Sequence, residues 1–406
     1  MRVLFVNRFF HPDHSATGQM LTDLAMDLRR AGMDITVLTG RQLIDDAEAQ
    51  LAKREQVDGV DVYRVWSTRF GRRSLPGRGL DYLSFYIGAG WRLARICRPG
   101  DVVVAKTDPP LISVVASLVA RMRGATLVNW LHDLFPEVAE RLGVPFVRGY
   151  LAGTLRSVRD WSLRSARCNV VIGAAMAERL RALGVPCERV KTIHNWCDGS
   201  EVCPQVLDGH RLRASWNLKN RFVVLYSGNM GYAHEFGTIL DAAECLAERT
   251  DIVFLFIGAG VQRAFIEQEV ARRRLTNVQL KPYQPREALG QSLTVANAHL
   301  VSLLPQLEGL IVPSKFYAIA AAGRPVLFIG APDGELARLI DEVDCGCQVA
   351  PGAGEALAKR IEELAADPRK AERQGEAARR LFDERFDRRL ATQAWLRTLQ
   401  SVAAGR

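Results

Sequence analysis

Phe222-Val223-Val224-Leu225-Tyr226-Ser227-Gly228-Asn229-Met230-Gly231 is the stretch that decides the fold. A short run of β-branched and aromatic residues ends in a glycine-bearing turn, and a helical pattern opens near Glu235. Continuous apolar runs of this length, bounded by glycine, read as strands of a parallel sheet covered on both faces. The same unit repeats downstream, with strands expected at 252–257, 278–280, 299–303 and 326–329. Upstream the rhythm is similar, with strands expected at 3–7, 35–39, 60–65, 102–105, 126–130 and 169–172. Helical stretches alternate with them, such as 18–31, where Met20, Leu21, Leu24, Ala25 and Leu28 recur every three or four residues and Gly32 marks the stop.

Two wound halves follow. The predicted architecture is α/β, with two doubly wound Rossmann-like domains facing a cleft that is the default place for a ligand. The expected division is 1–195, a linker 196–218 within a stretch rich in Cys, Asp, Gly and Pro, 219–385, and a crossover helix at 386–406. That helix carries Leu390, Trp395, Leu396 and Leu399 and is expected to pack back across the domain boundary.

At 406 residues, 48% hydrophobic and 24% charged, the composition is that of a soluble globular protein. No apolar run reaches the ~18 residues of a spanning helix. Met1–Asn7 is too short to be a signal peptide and reads as a first strand, so a cytoplasmic location is expected. Eight scattered cysteines lack zinc spacing and read as free buried thiols. Residues 1–190 carry 27 Lys and Arg against 19 Asp and Glu, whereas 191–406 carry 27 against 26. No nucleic-acid motif accompanies the basic half, so nucleic acid is not an expected partner.

Several loops at expected strand ends carry candidate chemistry. Gly228, Asn229, Gly231 and His234 follow one strand, and Gly258 and Gly260 follow the next. Such turns bring backbone N–H groups close to a phosphate, although any tight turn also wants glycine. Tyr283 and Gln284 lie between Pro282 and Pro285, a geometry that suits a base edge or simply a stiff loop. The most informative run is Glu308-Gly309-Leu310-Ile311-Val312-Pro313-Ser314-Lys315, which leads into a small-residue helix. A helix start favours an anion such as a diphosphate, Lys315 adds charge, and Glu308 is placed to accept hydrogen bonds from sugar hydroxyls.

The runs at 228–234, 282–286 and 308–317 resemble family 4 retaining glycosyltransferases of the GT-B fold, especially those of bacterial capsule, exopolysaccharide and O-antigen assembly. The resemblance extends over nearly the whole chain and adds Thr17-Gly18, His132-Asp133 and Asn195-Trp196 with Asp198. It implies an enzyme whose carboxy-terminal domain binds a nucleoside diphosphate sugar and whose amino-terminal domain binds the acceptor, plausibly a lipid-linked saccharide. The implied donor-binding residues are Gly18, Gly228, Asn229, Gly231, His234, Gly258, Tyr283, Gln284, Gly309, Leu310, Ile311 and Ser314. The implied catalytic residues are His132, Asp133, Glu308 and Lys315, with His132 and Asp133 positioning the acceptor or the sugar 6-hydroxyl. No cofactor or metal is expected; Asp58-Gly59-Val60-Asp61 fits a turn better than a metal site.

This sequence departs from the family in two places. Asn229 and His234 occupy the first phosphate loop where an Arg and a Lys are usual, and the expected second, ribose-holding Glu is replaced by Phe316, counting eight residues from Glu308, or by Ala318, aligning on Gly323-Arg324-Pro325. Lys315 is expected to supply the charge that the first loop lacks. The alternative function is a sugar-nucleotide 2-epimerase of the same fold. Residues 69–98 combine Arg69, Arg72, Arg73, Arg78, Arg92, Arg95 and Arg98 with Leu80, Tyr82, Leu83, Phe85, Tyr86, Ile87 and Trp91. Basic residues flanking an aromatic helix suit an anionic membrane surface, here the inner face of the cell membrane, and also suit a core helix with a solvated face.

Overall fold

The computed structural model describes the chain except Asp45, Arg72, Arg73, Phe146, Arg148, Asp208, Gly209, Arg406 and the side chain of Leu75. The expected membrane contacts of Arg72 and Arg73 therefore lie outside the described residues. Two compact units are formed, one from Met1–His194 with Thr392–Arg406 and the other from Asn195–Ala391.

The first unit holds an eight-stranded sheet of β1 (Arg2–Val6), β2 (Asp34–Gly40), β3 (Arg54–Val57), β4 (Val60–Val65), β5 (Val102–Lys106), β6 (Thr126–Leu131), β7 (Cys168–Val171) and β8 (Val190–Thr192). Their order is β3-β4-β2-β1-β5-β6-β7-β8, and every pairing is parallel except β3 with β4. Asp58 (φ 46°) and Gly59 (φ 80°) make the two-residue turn of that hairpin, as the Asp-Gly pair favours. The strands β1 and β5 are buried almost throughout because helices cover both faces of the sheet. Four helices matter below: α1 (Ala16–Arg30), α2 (Leu75–Ile96), α3 (Ile112–Arg123) and α4 (Gly149–Ser165).

The second unit holds a wholly parallel six-stranded sheet of β9 (Phe222–Ser227), β10 (Ile252–Ile257), β11 (Val278–Lys281), β12 (Ala298–Ser302), β13 (Val326–Ile329) and β14 (Gly346–Val349). The order is β11-β10-β9-β12-β13-β14. The helices α5 (Gly237–Cys245), α6 (Lys315–Ala321) and α7 (Glu335–Val343) position the loops considered below. The last helix, α8 (Arg388–Ala403), begins in the second unit, and from Thr392 its residues belong to the first. There Trp395 is fully buried, edge-on to Trp130 with ring centroids 4.8 Å apart, and the Thr392 hydroxyl donates to Asp27 at 3.0 Å.

Every strand expected from sequence is present within a residue or so at each end, and β3, β8 and β14 are added. All three are short edge strands or flank one, with little apolar patterning to announce them. All eight cysteines are free. The expectation that they are buried holds for Cys97, Cys168 and Cys345, while Cys187, Cys203 and Cys245 are exposed on loops or helix ends.

Candidate functional site

In each sheet the chain leaves two adjacent strands in opposite directions. From β1 it crosses to β2 on one side, and from β5 to β6 on the other; likewise β9 leads to β10, and β12 to β13. A crevice opens where connections diverge in this way at the carboxyl ends of parallel strands, and ligands bind there. Both candidate clusters sit at these points.

In the second unit, β9 ends at Ser227 and the chain turns through Gly228 at φ 127°. The Gly258 loop lies against it. A Cβ on Gly258 would stand 2.1 Å from the Gly228 carbonyl oxygen, so this glycine is required by loop packing. Gly231 is different, because a Cβ there would meet only the Asn229 amide, at 3.1 Å. Gln262, which the sequence reading did not single out, donates from Nε2 to the carbonyls of Gly231 (2.7 Å) and His234 (2.9 Å). It holds the loop open in one shape.

His234 has one ring hydrogen bond, from Nδ1 to the carbonyl of Ser302 at 2.6 Å. A carbonyl only accepts, so Nδ1 carries the proton and Nε2 is left as an acceptor. Burial, together with nearby Lys315, pushes the imidazole down to about 3, so it is neutral. The expected His234 therefore sits at the site but brings no positive charge to a phosphate.

Lys315, the first residue of α6, brings that charge. Its Nζ is sealed from solvent and has no hydrogen-bond partner among the described residues, and it lies 3.7 Å from the Tyr226 ring centroid. Its Cε is 3.8 Å from where a Gly228 Cβ would be. Burial holds the amine well below the ordinary lysine value. Tyr226 is itself fixed by its hydroxyl, which donates to the Asn229 carbonyl at 2.9 Å. Gly228, Asn229, His234 and Lys315 are thus one cluster.

Glu308 meets the start of α7. Its carboxylate accepts the backbone N–H of Glu335 at 2.8 Å, at the start of α7, and burial raises its pKa. The adjoining Gly309 has φ 71°, Leu310 is buried and Ile311 half-buried. Ser314 is exposed and makes no side-chain cap to α6. Of the two positions for the missing second glutamate, Phe316 is 1% exposed and packs edge-on against Tyr317 and Phe386, and Ala318 is half-buried. Tyr283 is half-exposed beyond β11, and Gln284 donates back to the Pro282 carbonyl at 2.9 Å.

In the first unit the cluster was only partly visible in the sequence. His132 and Asp133 follow β6, and the His132 N–H donates to the Thr107 hydroxyl at 3.2 Å. His132 Nε2 and Asp133 Oδ1 are both buried without a hydrogen-bond partner among the described residues. Burial and nearby Lys106 hold the imidazole neutral, while burial and nearby Asp108 push the Asp133 carboxyl up to about 7. Lys106 and Asp108, from the end of β5, complete the cluster. Neither Lys106 nor Asp108 stands out in the sequence. The Lys106 ammonium donates to the Thr17 carbonyl at 2.7 Å and lies 3.7 Å from the Trp130 ring centroid; burial pushes Asp108 to about 6. The signal for both is their place at the end of a buried strand or just past it.

Gly18 is nearby but already used. Its N–H donates to the capping Ser15 hydroxyl at 3.1 Å, and a Cβ would stand 2.8 Å from that oxygen. Among the described residues no group of three or more His, Cys, Asp or Glu is placed to hold a metal ion.

Comparison with known proteins matches both units. A family model described as glycosyl transferase 4-like domain matches residues 15–196, and one described as glycosyl transferases group 1 matches residues 210–381. The chain is 29% identical over 304 residues to a probable glycosyltransferase, WbjE, of Pseudomonas aeruginosa, covering 73% of this chain and 74% of that one. It is 27% identical over 387 residues to WcaI of Escherichia coli K12, a putative colanic acid biosynthesis glycosyl transferase, covering 91% and 92%. In fold it is similar to Anabaena HepE in complex with UDP-glucose, with a TM-score of 0.74 at 18% identity over 99% of this chain and 100% of that one.

Proposed function

The chain is a glycosyltransferase with a 4-like and a group 1 domain in the GT-B arrangement of two Rossmann-like folds, and we propose that it acts in cell-surface polysaccharide assembly. On this reading the second unit binds a nucleoside diphosphate sugar, and the first binds a lipid-linked saccharide acceptor. Relatives named for glycosyl transfer and colanic acid biosynthesis support the transfer, and nothing favours the epimerase alternative. A neighbouring fold in complex with UDP-glucose supports the donor class.

The observation that carries the donor site is the buried amine of Lys315, unpartnered among the described residues, beside Gly228 at the divergence of β9 and β12. A buried cation without an acceptor is costly, and a diphosphate supplies the acceptor. Transfer with retention needs no enzymic nucleophile. The bond between the sugar's anomeric carbon and the diphosphate oxygen breaks as the acceptor oxygen bonds to that carbon from the same face, and the acceptor's proton passes to the leaving diphosphate. Lys315 and the N–H groups of the Gly228–Gly231 turn stabilise the charge that develops there. His132 Nε2 and Asp133 Oδ1 offer buried polar atoms to acceptor hydroxyls.

Lys315→Ala tests the assignment. The expected result is a donor affinity lower by roughly ten- to a hundredfold, the worth of one charge-assisted hydrogen bond, together with slower turnover. Near-normal turnover with unchanged donor affinity would remove Lys315 from this role.

A further inference from the structure

We propose that Trp66 and Phe70 form a second sugar subsite in the first unit, so that the acceptor carries at least two sugar rings. The inference rests on the reading of that unit as the acceptor-binding one. Trp66 directly follows the carboxyl end of β4, and Phe70 comes four residues later. They are 60% and 54% exposed, yet the loop that bears them is fastened along its length. The Asp81 carboxylate, on α2, accepts the Thr68 hydroxyl and the backbone N–H groups of Phe70 (2.9 Å) and Gly71 (2.8 Å). The Ser84 hydroxyl accepts the Thr68 N–H at 2.9 Å. Gln42, just after β2, donates from Nε2 to the carbonyls of Ser67 (3.0 Å) and Thr68 (3.1 Å). Gly77 of α2 leaves no room for a Cβ against the Phe70 carbonyl, so the helix packs directly on the loop. The backbone turns its polar groups inward and leaves two large rings outside, held in place before any ligand arrives.

The place of this loop selects a sugar. It lies at the carboxyl edge of the sheet, where the crevice between β1 and β5 opens, rather than on a face covered by helices such as α2 and α3. Only β2 stands between β4 and β1, a separation of two strand spacings or about 10 Å. One pyranose ring in the crevice does not span that distance, and a second one does. A polar floor runs the whole way. The Arg8 N–H, just past β1, donates to the Asp108 carbonyl at 2.7 Å. Its guanidinium reaches the Gln42 side-chain oxygen at 3.5 Å, and Gln42 in turn holds the carbonyls of Ser67 and Thr68. A polar floor that ends in exposed aromatic rings suits both aspects of a sugar, whose hydroxyls hydrogen-bond around the edge while its C–H face covers a ring. Among the described residues of the floor and the loop, both arginines are already paired, Arg8 with Asp81 and Arg69 with Glu48. The surface therefore favours a neutral ligand over an anionic one.

The test titrates the full chain, by ligand-observed NMR, with methyl glycosides of glucose, galactose, mannose, N-acetylglucosamine and rhamnose and with the α- and β-linked disaccharides of each. At least one disaccharide is expected to bind roughly tenfold tighter than its methyl glycoside, the scale of one aromatic contact. Trp66→Ala is expected to abolish that preference, and Trp66→Phe to keep most of it. Both rings are exposed, so thermal melts of the variants are expected to match the wild type. UDP affinity, measured separately, reports on the donor site alone and is expected to be unchanged in Trp66→Ala. Binding of methyl glycosides with no disaccharide preferred overturns the subsite and leaves the acceptor reading standing. No binding by any sugar of the panel overturns both. A preference that survives Trp66→Ala also overturns the proposal, as does a protein that prefers no disaccharide and instead sediments with phosphatidylglycerol vesicles through Trp66, because the rings would then meet lipid.

Discussion

Burial decides the charge of both His234 and Lys315. A histidine in a phosphate loop reads as a cation, yet its Nδ1 proton goes to the Ser302 carbonyl and burial keeps the ring neutral. The charge resides instead in Lys315, whose own burial favours the neutral amine until an anion arrives. The sign follows directly: an anionic ligand raises a depressed lysine pKa, so binding takes up a proton and affinity falls as pH rises through the window between the free and bound values. Titration calorimetry of UDP at pH 8, in two buffers of different ionisation enthalpy, is expected to show net proton uptake. Identical heats in the two buffers would count against it. This property was not legible in the sequence, because it depends on which atoms surround the nitrogen.

Among the elements, the glycine turns separate into two kinds that look alike in sequence. Gly258, at φ 142°, meets the Gly228 carbonyl, so Gly258→Ala has no room and is expected to lower stability by about 2 kcal/mol or more. Gly231 is open apart from the Asn229 amide, so Gly231→Ala is expected to stay within about 0.5 kcal/mol of wild type while weakening the donor. Denaturant midpoints beside UDP affinity distinguish the two. Equal destabilisation by both substitutions would mean that the loops do not differ as described. Glu308 shows the same limit of sequence reading. Its run reads as a candidate loop from sequence, but its hydrogen-bond donor, the Glu335 N–H at the start of α7, lies 27 residues later.

At the scale of the whole molecule, the end of the chain completes the first unit. Trp395 is fully buried against Trp130, which also carries Lys106 on its face and lies 5.2 Å from the His132 ring. Trp395→Ala is expected to cost about 3–5 kcal/mol by leaving a cavity there. It should also disturb the His132–Asp133 cluster before the Lys315 cluster. A melting-temperature drop of several degrees with UDP affinity retained is the expected pattern; an unchanged melting temperature would show that the helix end contributes little.

Periodicity and glycine placement were enough to determine two wound parallel sheets, because a strand buried on both faces must be apolar throughout and a strand-to-helix turn needs special backbone angles. The loop at 308–315 was legible for the same local reason, as a charged, glycine-bearing run before a small-residue helix. Only the tertiary structure decided which polar groups are left without partners: Lys315 Nζ, His132 Nε2 and Asp133 Oδ1. It also brought Lys106, Asp108 and Gln262 to the sites. Burial and hydrogen bonding are properties of neighbours distant in the chain, and they set the charge that a side chain's identity leaves open.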